Sequence, residues 1–249
     1  MIALLVGFNY RNSNHSIPGI IVDLYEMKKL SDSLNLDTYI ITDISKDEDI
    51  LNLADYVLKE GNFNVLNFMK ENKEKDRWIV SKDLSNLSND IPKSDKILLY
   101  FSGHGIKGKI QLSNGDEMKN IDFLSLFCSF LNEQGELLWI NDSCEFTSDL
   151  LSYKLGNNSW EVSDLNTSIN RKVQIISSSN YNTKSETSIV GSDFTKYIIE
   201  KIKMKNRLIE IKNGNKNAYV HSTFQNYDLF DWITPKKFSS WIFGLIQVK

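Results

Sequence analysis

Apolar residues along this chain fall into two alternating kinds of run. Residues 2–8, 38–42, 96–101, 136–141 and 171–177 are short, nearly continuous apolar stretches of strand length. They predict a first to a fifth strand. Between the first two, Ile21, Leu24, Met27, Leu30 and Leu34 recur at helical spacing behind Pro18-Gly19 and predict an amphipathic helix. The segment 47–75 reads as helical and charged, with Leu51, Ala54, Leu58, Val65, Phe68 and Met69 as its apolar positions. Residues 121–132 and 191–204 predict two further helices, and Lys109 to Met118, centred on Asn114-Gly115, predicts a β-hairpin. The polar stretch 156–170 reads as a loop, 212–215 as a turn, and 241–248 is the candidate for a last strand. Strand runs alternating with helix-length segments are the pattern of a mainly parallel sheet covered by helices on both faces. An α/β fold is therefore expected. No repeat or low-complexity linker divides the chain, so one domain over residues 1–249 is expected.

Two of the apolar runs end abruptly in residues that carry chemistry. Leu98-Leu99-Tyr100-Phe101-Ser102 runs into Gly103-His104-Gly105, and Leu137-Leu138-Trp139-Ile140-Asn141 runs into Asp142-Ser143-Cys144. In an α/β sheet the carboxyl ends of neighbouring strands converge on one crevice. A cysteine nucleophile needs a base within hydrogen-bond reach, and that base is usually a histidine brought close by the fold. The chain has 3 histidines and 2 cysteines, so one of each at such strand ends points to a cysteine peptidase. Cys144 is then the nucleophile and His104 the acid/base. The glycines beside His104 let the backbone turn tightly, and the amides of Gly105 and Cys144 are the candidate oxyanion donors. Asp142 lies two residues before the cysteine, on the same side of a continuing strand. Together with Asp23 it could line the pocket for the residue before the scissile bond and select Lys or Arg by charge-assisted hydrogen bonds. Structural roles compete with each of these. Cys144 could be a buried free cysteine, His104 a turn histidine, and Asp23 a carboxylate favouring a helix N-terminus. Cys128 lies on an amphipathic helix and reads as core, while His15 and His221 fall in apparent loops.

Composition narrows the classes. A 41% apolar content with 24% charge is ordinary for a globular protein, and a net charge of -3 gives no reason to expect nucleic acid or an anionic membrane. Two cysteines make no disulfide framework, and no Cys/His group has zinc spacing, so no metal ligand is assigned. Reducing, cytoplasmic conditions suit an enzyme that keeps a thiol free. No apolar run reaches the roughly 18 to 20 residues that span a bilayer, and residues 1–7 read as a first strand rather than a signal peptide.

With these residues assembled, most of the chain resembles the metacaspases, within the wider caspase-like clan of cysteine peptidases. Ala3-Leu4-Leu5-Val6-Gly7-Phe8-Asn9-Tyr10 is similar to the family's opening strand, and Pro18-Gly19-Ile20-Ile21-Val22-Asp23 with Met27 to its first helix start. Thr42-Asp43 matches the end of the second strand. Tyr100-Phe101-Ser102-Gly103-His104-Gly105 and Asn141-Asp142-Ser143-Cys144 resemble the motifs around the histidine and cysteine; Ser177-Ser178-Ser179 and 191–195 resemble the next strand end and helix start. The resemblance implies a caspase-like three-layer sandwich, with a large-subunit-like part over 1–155 and a small-subunit-like part over 171–249. It implies a Cys144–His104 dyad, a basic-residue pocket lined by Asp23, Ser102 and Asp142, peptide or protein substrates with Arg or Lys before the scissile bond, a monomer, and work in programmed cell death. Glu145-Phe146-Thr147 replaces the family's usual His-Ser-Gly, and an acidic neighbour disfavours a thiolate. Ile20 stands where the family often has another cysteine. The calcium-binding carboxylates of many members are poorly matched by Asp116, Glu117 and Asp149, so no cofactor is expected to be required and calcium is a weak alternative. The rival reading is a catalytically inactive caspase-like homologue that binds or regulates a partner.

Overall fold

Strands buried over six or more consecutive residues must have both faces covered there, and three of them make the centre of this sheet. Every position of Ile2–Gly7 (β1) is buried, as are residues 97–102 of Ser94–Ser102 (β4) and residues 135–142 of Leu131–Asp142 (β8). The structure, a computed structural model, describes residues 1–10, 14–44, 67–68, 70–72, 77–85, 87, 90–146, 150–156, 159–162, 169–179, 185, 187–188, 191–204, 208–215 and 218–223. Flanking the central strands are Asp37–Thr42 (β2), Trp78–Val80 (β3), Tyr153–Leu155 (β9), Trp160–Val162 (β10), Lys172–Ser177 (β11) and Tyr219–Ser222 (β14). The nine-stranded order is β10-β9-β14-β11-β8-β4-β1-β2-β3. Pairing is parallel from β3 through β11 and antiparallel from β11 through β14 and β9 to β10. The short strands Gly105–Ile106 (β5), Lys109–Gln111 (β6) and Glu117–Lys119 (β7) form a separate antiparallel sheet, and Thr187–Ser188 (β12) pairs with Gly191–Ser192 (β13).

The period-two alternation of β4 and β8 separates the layers. Phe101 and Trp139 face one side, where both rings meet Phe123 of helix Asn120–Cys128 (α2). Tyr100, Ser102 and Asp142 face the other, where they meet Thr195 of Asp193–Lys203 (α3) and Asp23 of Ile20–Ser33 (α1). Helices therefore cover both faces of a mainly parallel sheet, the α/β architecture expected. The α3 stripe Phe194, Thr195, Ile198, Ile199 and Ile202 is buried, and its start is capped by Ser192, whose hydroxyl accepts from the Phe194 and Thr195 amides. The register pairs Gly7 with Ser102, Ser102 with Asp142 and Asn141 with Ser177, which brings the carboxyl ends of four neighbouring strands to one edge.

Several boundaries differ from the sequence reading. The helix expected over 121–132 stops at Cys128, because β8 begins at Leu131 and runs longer than its apolar core. Part of the expected loop 156–170 is β10, and the turn at 212–215 is instead the end of helix Leu208–Gly214 (α4). His221 is not in a loop; it lies in β14, opposite Ile175, and is 3% exposed. The candidate strand 241–248 and most of the segment 47–75 lie outside the described residues.

Candidate active site

β4 delivers Ser102 to the sheet edge, and the chain then turns through Gly103-His104 into the β5–β6 hairpin. That hairpin turns on Lys107 and Gly108, whose φ values of 47° and 76° give the mirror-image turn that matches strand twist. The Gln111 amide donates to the His104 carbonyl at 3.0 Å, so the next pair, Gly105 with Ile110, is a non-hydrogen-bonded pair of the ladder. The Gly105 N–H therefore points out of the hairpin.

His104 is held from three sides. Its amide donates to the Tyr10 hydroxyl at 2.9 Å, and that hydroxyl donates to the Gln111 carbonyl at 2.7 Å. The two rings lie 4.6 Å apart. Tyr10 has a φ of 52°, and the Asn9 and Tyr10 amides both donate to the Asp43 carboxylate, at 2.7 and 2.8 Å. The His104 Nε2 meets the His15 carbonyl at 2.6 Å. A carbonyl only accepts, so Nε2 carries the proton and Nδ1 is the basic nitrogen of the neutral ring. Burial pushes the imidazole below its ordinary value, with the bond to His15 opposing this and the His15 ring adding to it.

The cysteine's turn packs directly on that hairpin. A Cβ built on Gly105 would meet the Cys144 carbonyl oxygen at 2.1 Å and the Ser143 hydroxyl at 2.9 Å, so only glycine permits the approach. The Gly108 amide donates to the Glu145 carbonyl at 2.9 Å and the Lys107 amide to the Glu145 carboxylate at 3.0 Å. The acidic residue after Cys144 is thus a tie between the two turns, and it takes up the strained φ of 47° there. Behind the cysteine, Ser178 and Ser179 hydroxyls donate to the Ser143 carbonyl, at 3.4 and 2.5 Å. Cys144 is half-buried, and its sulfur accepts from the Ser185 amide at 3.3 Å. Cys128 sits on α2, where burial pushes its thiol up to about 12, far from a neutral-pH nucleophile.

Asp23, Ser102 and Asp142 come together beneath the cysteine, all three buried. Asp23 accepts from the Ser192 amide at 2.8 Å and the Ser102 hydroxyl at 3.3 Å. Gly191, at a φ of 90°, leaves room for that carboxylate; a Cβ there would meet Oδ1 at 2.6 Å. Asp142 accepts from Thr195 Oγ1 at 2.8 Å and Ser185 Oγ at 2.6 Å. Thr195 Oγ1 donates there and so accepts from the Tyr100 hydroxyl at 2.7 Å, which burial keeps protonated.

Burial, and then the neighbouring Asp142, raise the Asp23 carboxyl to about 8 from an ordinary 3.8. Asp23 therefore holds its proton at neutral pH. Because the folded value lies above the unfolded one, the stabilisation is complete below pH 3.8 and is lost as pH rises toward about 8. Asparagine keeps an acceptor for Ser192 and offers Nδ2 to the Ser102 oxygen, so Asp23→Asn mimics the protonated acid. Denaturant melts should show wild-type stability falling over that window and the variant's staying level, with the variant ahead at pH 8 by about 2 kcal/mol or more.

Of the carboxylates considered for calcium, Asp116 bonds to Asn114, Glu117 pairs with Lys109, and Asp149 lies outside the described residues. Among the described residues, no three His, Cys, Asp or Glu side chains cluster as a metal site, and no helix is long and apolar enough to cross a membrane. The sequence reading misses Tyr10, Asp43, Thr195, Ser185 and the His15 carbonyl. Tyr10 and Asp43 lie in stretches that carry the resemblance and Thr195 stands three residues after a capping serine at a helix start, whereas Ser185 and the His15 carbonyl leave no signal.

No protein-family model and no curated protein matches the sequence. Similar solved structures include protein GSU0716 from Geobacter sulfurreducens, at 13% identity and a TM-score of 0.53, covering 90% of this chain and 92% of that one. They also include caspase-1 from Spodoptera frugiperda, at 15% identity and a TM-score of 0.47, covering 84% of this chain and 73% of that one. At such identities the likeness concerns the fold alone.

Proposed function

We propose that this chain is a caspase-like cysteine endopeptidase of metacaspase type, cleaving after Arg or Lys. The observation that carries the reading is the pair of touching turns, one presenting His104 with its tautomer set by the His15 carbonyl, the other presenting Cys144. In the proposed reaction His104 Nδ1 takes the Sγ proton and the thiolate adds to the carbonyl carbon of a bound peptide. The Gly105 and Cys144 amides hold the oxyanion. Collapse breaks the C–N bond, His104 returns the proton to the leaving amine, and water hydrolyses the thioester with His104 again as base. With Asp23 holding its proton at neutral pH, a single basic side chain is met by the Asp142 carboxyl group alone. The enzyme acts as a cytoplasmic monomer and needs no calcium.

A second reading, the inactive homologue, is favoured by one feature: Ser185 already bonds both Cys144 and Asp142. Fluorogenic peptides with Arg, Lys, Asp or Asn before the reporter, under reducing conditions with and without calcium, separate the readings. Turnover of the Arg and Lys peptides alone, without calcium, is the expected result. Cleavage after Asp refutes the basic pocket, and turnover of none establishes the inactive homologue. In the active case, kcat/KM should fall on acidification along a limb centred below pH 6.5, the ordinary histidine value, because burial depresses His104.

A further inference from the structure

Ser185 belongs to no helix or strand, yet it joins both halves of the site. Its hydroxyl donates to Asp142 Oδ1 at 2.6 Å, its amide donates to Cys144 Sγ at 3.3 Å, and its carbonyl accepts from that thiol at 3.6 Å. The other oxygen of Asp142 is bonded to Thr195, which is bonded to Tyr100; these are 1% and 0% exposed and are rooted in α3 and β4. The polar chain Tyr100–Thr195–Asp142–Ser185 therefore has a fixed inner end, and Ser185, half-buried, is its outer end. A cation arriving from solvent meets Asp142 at the oxygen that Ser185 holds. A guanidinium or ammonium brings the opposite charge to that carboxylate, and a guanidinium a second parallel hydrogen bond, neither of which a neutral hydroxyl supplies. It is also far bulkier than the hydroxyl it replaces, so the whole residue has to move aside, and its peptide groups leave the sulfur.

We propose that Ser185 is a specificity-determining latch that caps Cys144 while the acidic pocket is empty and frees it when a basic side chain engages Asp142. The inference rests on the peptidase reading above and deepens it. Basic substrates would then be selected twice, once by affinity and once by uncovering the nucleophile. A substrate without a cation would meet a capped thiol even where its backbone could dock.

The test is alkylation of the full chain by iodoacetamide, with Cys144 and Cys128 followed separately by peptide mass spectrometry. Agmatine serves as the probe cation, and hydrolysis of an Arg peptide is measured on the same preparations. With the uncapped state populated below about one part in ten, agmatine should speed Cys144 alkylation about tenfold or more in the wild type. Ser185→Ala should be alkylated quickly without agmatine and should not respond to it, while Ser185→Thr, which keeps the hydroxyl, should restore the response. Agmatine that slows alkylation or leaves it unchanged, in a preparation that hydrolyses the Arg peptide, overturns the latch and leaves the peptidase reading standing. Absence of both Arg-peptide hydrolysis and any agmatine effect overturns the two together.

Discussion

Cys144→Ala is expected to abolish hydrolysis of Arg and Lys peptides, a loss of about 10⁴-fold or more in kcat/KM, with the thermal midpoint little changed. The side chain is half-buried at a turn held by backbone and serine bonds, so removing the thiol forfeits its bonds to Ser185 and leaves those ties in place. His104→Ala should fall to a similar level, because the two groups act as one unit and losing either leaves only binding and oxyanion stabilisation. Its imidazole packs on Tyr10 and bonds to the His15 carbonyl, so a lower melting temperature should accompany this loss. Cys128→Ala, by contrast, should retain activity. The measurements are kcat/KM on an Arg peptide and thermal melts of each variant. Alkylation confined to Cys128, or Cys144→Ala retaining full turnover, refutes the assignment.

The parts of this site that are legible in the sequence are those written by local pattern. An apolar run that stops at Gly103-His104-Gly105, and another that stops at Asp142-Ser143-Cys144, announce strand ends, because a strand leaving a two-sided core passes from continuous burial to abrupt polarity. Asp23 is legible from a different local pattern, behind Pro18-Gly19 at the start of a periodic helix. The supports of these residues are not. Tyr10 reaches His104 across 94 positions, Asp142 meets Thr195 across 53 and Ser185 across 43, and single-sequence pattern carries no information at such separations. The acceptor for His104 is a backbone carbonyl, which no residue type marks. Glu145 reads as a threat to the thiolate because its charge is visible in the sequence, whereas the amides of Lys107 and Gly108 that tie it down are not. Likewise β3, β9 and β10 have three residues each and β14 has four, too short for a period to show. They are strands because neighbours pair with them, which is also why His221 is buried in a sheet.

Asp142→Asn should lower kcat/KM on Arg and Lys peptides by roughly 10² to 10⁴-fold, the equivalent of about 3 to 5 kcal/mol for a buried charge pair deprived of one partner. The amide is close in size to the carboxylate and still offers Thr195 or Ser185 an acceptor, so the loss isolates charge from packing. Asp142→Ala removes both and should also cost stability, since the Thr195 and Ser185 hydroxyls lose their shared acceptor. The two variants are further told apart from a merely structural defect by their effect on Asp23. Asp142 is one of the causes that raise the Asp23 carboxyl, after burial itself, so neutralising position 142 lets Asp23 ionise at lower pH. The pocket then regains a negative charge from its second member as pH rises. Residual Arg-peptide turnover by Asp142→Asn should therefore climb on the alkaline side of neutrality more steeply than that of the wild type, and the climb should vanish in the double variant Asp23→Asn/Asp142→Asn. A full set of pH profiles on the three proteins checks this. If Asp142→Asn hydrolyses Arg peptides as well as the wild type at every pH, the carboxylate pair is a structural feature of the sheet edge and does not select the substrate.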